Sequence, residues 1–268
     1  MPIPLPPRDE QERIAQSLST VDSLIDELEQ QNLTLEAISE CLFKSWFIDF
    51  DPVRALAEGR VPIGITKATL ELFPSEFQES LLGQIPRGWE VGSISDLFTL
   101  QRGFDLPATQ RISGPYPVLA ASGPSGTHRQ PMARAPGVVT GRSGVLGRVY
   151  YVQDDYWPLN TSLWVNEFRR ATPAYAYQLL KTQSLHTLNA GSAVPTLNRN
   201  HVHNRLAILP PPQLVAHYTE HVEKLLMQQD ANSKQITALR DLRDTLIPRL
   251  VLGKLRVPEA QEILEVIQ

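Results

Sequence analysis

A single cysteine, Cys41, stands among 268 residues, so an internal disulfide and a cysteine zinc cluster are both excluded. Long hydrophobic runs are missing too. No stretch of ~18 apolar residues occurs, and no helical membrane span is expected. The opening MPIPLPPRDEQ lacks the basic-then-apolar layout of a secretory leader, and a cytoplasmic protein is the expectation. Signatures of catalysis are scarce. TGRSGVLGR has glycines at 141, 144 and 147, but neither the spacing nor the Lys-Ser/Thr of a phosphate loop. No Asn-Pro-Pro-aromatic signature of adenine methylation is present. His201 and His203, read as alternating on one strand face, and Asp154-Asp155 supply metal-ligand types. No acidic–lysine cluster accompanies them, so no metal ligand and no catalytic residue is assigned.

Hydrophobic residues make up 42% of the chain, enough for a real core, so wholesale disorder is excluded. The net charge is −4, which alone argues against a polyanion partner. Its distribution argues the other way. Ile85–Pro210 carries twelve basic and six acidic residues, a net of +6, and the remainder nets −10. A basic module between acidic arms hints at a polyanion.

The arms are repeats of one another. The segment starting at Ile3 (IPLPPRDEQERIAQSLSTVDSL…) aligns without a gap with the one starting at Ala207 (AILPPPQLVAHYTEHVEKLL…), at a constant offset of 204. Pro6-Pro7 falls on Pro210-Pro211; Ile14, Leu18, Val21 and Leu35 fall on Tyr218, Val222, Leu225 and Leu239. In the second copy Tyr218, Val222, Leu225, Gln229, Asn232, Ile236 and Leu239 step alternately by four and three, which is a heptad seam. Both copies then step by three, to Ile38 and Leu242, a shared phase shift. The amides Asn32, Gln229 and Asn232 inside the seams are expected to fix register. Prolines suit each helix start. Each helix is ~40 residues, or ~60 Å, too long for a compact core alone, so the two copies are natural partners.

Between the arms, proline and glycine punctuate a connector with a short helix near Lys67–Leu72. GQIPRGWEVGSISDLF opens the central module, with Trp89, Val91 and Ile94 as core anchors and Ser95-Asp96 as a cap. Strands are expected at Tyr116–Ala120, Gly137–Thr140, Gly147–Val152 and Ser162–Val165, and a helix at Tyr175–Thr187. GSAVPTLNRNHVHNRLAILPPP is read as loop, short helix and strand. The segments are 1–50 (arm), 51–84 (connector), 85–210 (central module) and 211–268 (arm). The fold class is α+β: a mixed, strand-rich module flanked by two long helices. Cys41, near the apolar seam, is expected to be a packed thiol.

These motifs resemble one family. PPRDEQERIAQSLSTVDSLIDELEQ, SWFIDFDPVRALAEGR and LFPSEF are similar to the conserved spacer of type I restriction–modification specificity subunits. IPRGWEVGSISDLF resembles the opening of their target recognition domain, and GSAVPTLNRNHV with ILPPP its close. The resemblance covers nearly the whole chain. It implies an antiparallel coiled coil and sequence-specific duplex DNA recognition without a catalytic centre. It implies docking of methyltransferase and restriction subunits, to which S-adenosylmethionine, ATP and magnesium belong. The family order is domain–helix–domain–helix; here it is helix–domain–helix, which reads as a half-type chain started inside an ancestral gene. One domain reads one half-site, and a homodimer through the helices would read a symmetric split target.

Duplex readers need cations for phosphates and forked or amide side chains for base edges. Four glycine-rich loops offer them: Gln101, Arg102 and Arg111 in the first; Thr127, His128 and Arg129 in the second; Arg142, Ser143 and Arg148 in the third; Asn198, Arg199 and Asn200 in the fourth. Gln110, Ser122, Ser125, Gln130, Thr140 and Thr196 lie in the same loops. Any one arginine alone is better explained as a solvated surface charge; four similar loops in one basic module shift the balance, with Arg142 and Arg199 foremost. Trp46 and Phe47 are either helix-end packing or a docking surface for the methyltransferase. The competing readings are a coiled-coil scaffold with a non-nucleic-acid ligand domain, and a stand-alone nuclease.

Overall fold

The computed structural model describes residues 7–62, 64–191, 193–253 and 255. The repeat start at Ile3, Pro6, and the second arm beyond 255 lie outside the described residues.

In chain order the elements are α1 (Arg8–Phe47), α2 (Asp51–Ala57), α3 (Lys67–Leu70), β1 (Phe77–Ser80), β2 (Gly83–Pro86), β3 (Glu90–Ser93), α4 (Ile94–Leu97) and β4 (Phe98–Arg102). Then come β5 (Tyr116–Ala120), β6 (Gly123–His128), β7 (Gly137–Gly141), β8 (Val149–Val152), β9 (Trp157–Pro158) and β10 (Ser162–Phe168). The chain closes with α5 (Pro173–Thr182), α6 (Arg199–His203), β11 (Leu206–Leu209) and α7 (Pro212–Val251). The fold is α+β, with a 40-residue helix towards either end. The chain divides into two compact units, one up to Ala37 together with the stretch from Leu225 on, the other Ile38–Lys224. The division falls within both long helices, after Ala37 in α1 and after Lys224 in α7.

The first unit is an antiparallel helix pair. Val21, Ile25 and Leu28 of α1 pack against Ile236 and Leu239 of α7, and Ile14 packs with Leu246 and Leu250. Partners rise on one helix as they fall on the other: Asp22 pairs with Arg243, and Glu29 with Arg240. In the seam, buried Asn232 donates to Asn32 Oδ1 at 3.0 Å and accepts from Gln228 Nε2 at 2.8 Å. Gln229 Nε2 donates to the Asn32 carbonyl and to Glu36 Oε2, both at 3.0 Å. A slip of one heptad would strand these amides, so the layer fixes register. Leu226, rather than Leu225, is the more deeply buried residue of its turn.

The second unit holds the strands. β4, β10, β7 and β8 form an antiparallel sheet in that order. β5 pairs antiparallel with β6 and parallel with β9, and β1 pairs with β2. β3 pairs antiparallel with β11, Glu90 opposite Leu209, which ties the beginning of the central module to its end. A Cβ at Gly92 would lie 2.7 Å from Leu209 Cδ1 and 2.8 Å from Asp96 Oδ2, so a larger residue there would have to displace both side chains. Trp89 and Ile94 are core, as expected, while Val91 is half-buried.

Several expectations are corrected. The helix cap is Ser93, not Ser95: Asp96 Oδ2 accepts from Ser93 N–H at 2.7 Å, completing a capping box. The expected helix at Tyr175–Thr187 begins at Pro173, after the N-cap Thr172, and stops at Thr182. Ser184 is left-handed (φ 48°), and a single 3-10 turn, Leu185–Leu188, follows. His201 and His203 lie on α6, not on a strand, because Asn198 caps a helix there. The shared step is used for packing in one copy: Leu242 packs against the cluster of Ile14, Leu246 and Leu250, whereas Ile38 is 48% exposed and Ser39 is buried. Cys41 is exposed instead of packed in the seam.

Trp46 and Phe47, 3% and 4% exposed, are interior residues and present no docking surface. Phe47 meets Tyr175, Tyr218 and Phe43 edge-on or tilted, with ring centroids 5.0–5.3 Å apart. Trp46 meets Phe73 edge-on at 5.3 Å. Such pairs add roughly 0.5–1.5 kcal/mol each beyond burial, so this aromatic cluster locks the end of α1 and the start of α7 onto the module.

Candidate nucleic-acid interface

Strand register gathers the loops. In the four-stranded sheet Leu163 faces both Arg102 and Thr140, Ser162 faces Gly141, and Thr140 faces Val149. The last residues of β4 and β7 and the residue before β8 therefore share one end of the sheet. That end carries Gln101, Arg102, Arg142, Ser143 and Arg148.

The fourth loop is zipped onto the third. Ser143 bridges Thr196, Gly144 N–H donates to the Pro195 carbonyl at 2.9 Å, and Leu197 N–H donates to the Arg142 carbonyl at 2.8 Å. Arg142 N–H and Ser143 N–H donate to the Thr161 carbonyl at 2.8 and 3.0 Å, which pins the third loop to the start of β10. The half-buried Arg142 side chain reaches the Asn160 carbonyl at 3.3 Å. At Gly141 a Cβ would lie 1.8 Å from the Val145 carbonyl oxygen, so the loop folds back tightly because that position is glycine.

α6 brings the remaining group. Asn198 caps it by accepting from Asn200 N–H at 3.0 Å. Exposed Arg199, its first residue, approaches the Leu100 carbonyl at 3.5 Å, beside Gln101. His203 Nε2 accepts from Leu100 N–H at 2.8 Å. Burial, then the charges of Arg199 and Arg169, hold the His203 pKa below its ordinary value, so the ring stays a neutral acceptor. Arg102 lies 3.6 Å from Asp105.

The second loop behaves differently. Tyr116 pairs with His128 and Ala120 with Gly123, so Thr127 and Arg129 sit ~13 and ~20 Å along the strand from the Gly123 turn at ~3.3 Å per residue. His128 is buried, its Nδ1 accepting from Ile112 N–H at 3.1 Å and its ring edge-on to Trp157 at 5.1 Å. It is a structural residue and leaves the set of expected DNA contacts. Arg111 is anchored to the Ser125 carbonyl and, at 3.3 Å, to Ser125 Oγ, so it braces the β5–β6 hairpin. Thr127 and Arg129 are exposed.

Sequence reasoning missed the residues that organise these loops. Asn189 Oδ1 accepts from Gly191 N–H at 2.9 Å and from Thr196 N–H at 2.8 Å, shaping the fourth loop. Its signal was present: Asn before Ala-Gly favours a side-chain-closed turn. Asn160 and His203 left no local signal, because their partners are 18 and 103 residues away. The groups of the nuclease reading are engaged elsewhere. Asp155 accepts from Ala135 N–H at 2.9 Å and from Arg134, whereas His201 and His203 sit on α6.

This fold and this sheet end define a class first: an α+β module with its arginines and amides collected at one edge, framed in sequence by paired helices. No family model matches the chain. It is 27% identical to the type I restriction enzyme MjaIX specificity subunit of Methanocaldococcus jannaschii, over 96% of its own length and 61% of that protein. It is 31% identical to the HindI specificity subunit of Haemophilus influenzae over 131 residues, 35% of this chain and 28% of that one. The S subunit of a type I restriction–modification system from M. genitalium superposes with a TM-score of 0.62 over 91% of this chain and 61% of that one, at 16% identity, showing the shared fold. The chain is similar in sequence to type I restriction enzyme specificity subunits, and it spans less than two thirds of the relatives it matches.

Proposed function

We propose that the central module reads a short stretch of duplex DNA as the specificity component of a type I restriction–modification complex, without a catalytic centre of its own. One observation carries the reading: Arg102, Arg142, Arg148 and Arg199, with Gln101, Ser143, Asn198 and Asn200, meet at one end of one sheet. Cations there neutralise phosphates, and the arginine forks and amides offer bidentate partners for guanine and adenine edges. Arg129 and Thr127 extend the contact along the hairpin.

The chain positions an adenine-N6 methyltransferase and the restriction subunit on this target in the cytoplasm. S-adenosylmethionine, ATP and magnesium belong to those partners. Among the described residues no helix is long and apolar enough to cross a membrane. One module reads one half-site, so two copies complete a split symmetric target. The seam faces of the helix pair are used within the chain; a second copy therefore meets the outward faces, where Leu33 and Met227 are 63% and 62% exposed.

Co-expression with the cognate methyltransferase subunit, followed by mapping of methylated adenines, tests the reading. The expected result is a split symmetric motif, absent when this chain is omitted. An unmethylated genome from a complex that assembles would overturn it.

A further inference from the structure

Two histidines on α7 stand outside everything assigned above. His217 and His221 are four residues apart, one helical turn, so both rings leave the same face. Their Nε2 atoms are 3.3 Å apart. An ion bound at ~2.05 Å from each nitrogen would subtend about 107° between them, against about 109° for a tetrahedron. We infer that His217 and His221 form a two-point chelate for a d-block divalent cation of the zinc, nickel or copper class, with water completing its coordination.

The surroundings support ligation. His221 is exposed and His217 half-buried, so the ion has a route in from solvent. His217 Nδ1 lies 3.5 Å from Glu220 Oε2. A metal-bound imidazole commonly gives its other N–H to a carboxylate, which fixes the ring and raises its basicity. In the metal-free chain Thr69 Oγ1 lies 2.8 Å from His217 Nε2. That hydroxyl keeps Thr66 Oγ1 at 2.8 Å when the imidazole lone pair turns to a metal, so loading strands no buried donor. Trp46 lies parallel to His217 (6.1 Å, 10°) and edge-on to His221 (6.3 Å, 85°), so an indole reporter stands beside both rings. Among the described residues no third His, Cys, Asp or Glu converges on the point, so the site is open and its occupancy reversible. Imidazole donors suit zinc, copper and nickel, not magnesium or calcium.

The test uses the full chain, stripped with a chelator and titrated with zinc chloride or nickel chloride. Calorimetry is expected to show one ion per chain, and nickel is expected to quench part of the tryptophan emission through Trp46. His221→Gln, on the exposed ring, is expected to weaken binding at least about tenfold and leave the metal-free melting temperature unchanged. Glu220→Gln is expected to weaken it less, by the outer-carboxylate effect. His201→Gln is expected to change nothing. Absence of stoichiometric binding at millimolar zinc would overturn the inference. So would equal affinity in His221→Gln, or loss of the site in His201→Gln.

Discussion

At the residue scale the arginines of the sheet end divide by their anchors. Arg142 is half-buried and its guanidinium donates to the Asn160 carbonyl at 3.3 Å, so it is presented in few orientations. That suits base reading, where a rigid fork gives discrimination. Arg142→Ala is expected to cost roughly 1–3 kcal/mol on the target, roughly 5- to 150-fold, and to relax one position of the methylated motif. A binding selection on randomised duplexes checks this; unchanged affinity and unchanged specificity would remove Arg142 from the site. His203 gives the pH dependence. Its pKa is depressed by burial and by Arg199 and Arg169, and only the neutral ring accepts from Leu100 N–H. Its contribution to stability is therefore complete above the ordinary value of 6.5 and is lost as pH falls through the lowered one. Thermal melts between pH 7 and 5 are expected to fall more steeply for the wild type than for His203→Ala.

At the element scale two devices are exposed to test. The capping box of α4 sits where β3 hands the chain to β4. The Asp96 carboxyl is held below its ordinary pKa first by Ser93 N–H, then by Ser93 Oγ, with Arg169 and Arg170 adding to it. The cap stabilises above the normal carboxylate range and is lost on acidification through the depressed value. Asp96→Ala is expected to cost about 1 kcal/mol at neutral pH and to flatten the acid limb of the unfolding curve. The helix pair makes the second device. Asn32 and Asn232 satisfy one another inside the seam. Replacing both by leucine adds apolar burial and removes the penalty for slipping. The double variant is expected to melt higher than the wild type and to elute as a mixture of assembly states, where the wild type gives one. A single sharp species would show that the amides do not set register.

At the scale of the whole molecule, charge separation makes a quantitative demand. The module nets +6 against −10 for the rest, so the proposed duplex contact is expected on the module and not on the arms. If Arg102, Arg148 and Arg199 each neutralise one phosphate while Arg142 reads a base, log K falls against log salt with a slope of about −2.7, at about −0.9 per contact. Arg148→Ala, on an exposed residue at the sheet edge, is expected to reduce the magnitude of that slope by about 1 and to weaken all sequences alike. Fluorescence anisotropy across a salt series reads both numbers; a salt-independent affinity would leave the phosphate contacts without support.

The sequence by itself determined what repeats and what is periodic. The heptad steps, the paired prolines and the seam amides lie along one dimension, and the helix pair with its polar layer followed from them. So did several strands, because short β-rich runs between turns are local. The tertiary structure decided everything that depends on register between distant segments. Which sheet end gathers Arg102, Arg142 and Arg148 follows from pairings over dozens of residues. His128 turned inward onto Ile112 and Trp157, and Trp46 and Phe47 were buried by Tyr175 and Tyr218, because partners far along the chain arrive there. A side chain's type sets what it can bind; only the neighbours brought to it decide whether it is free to do so.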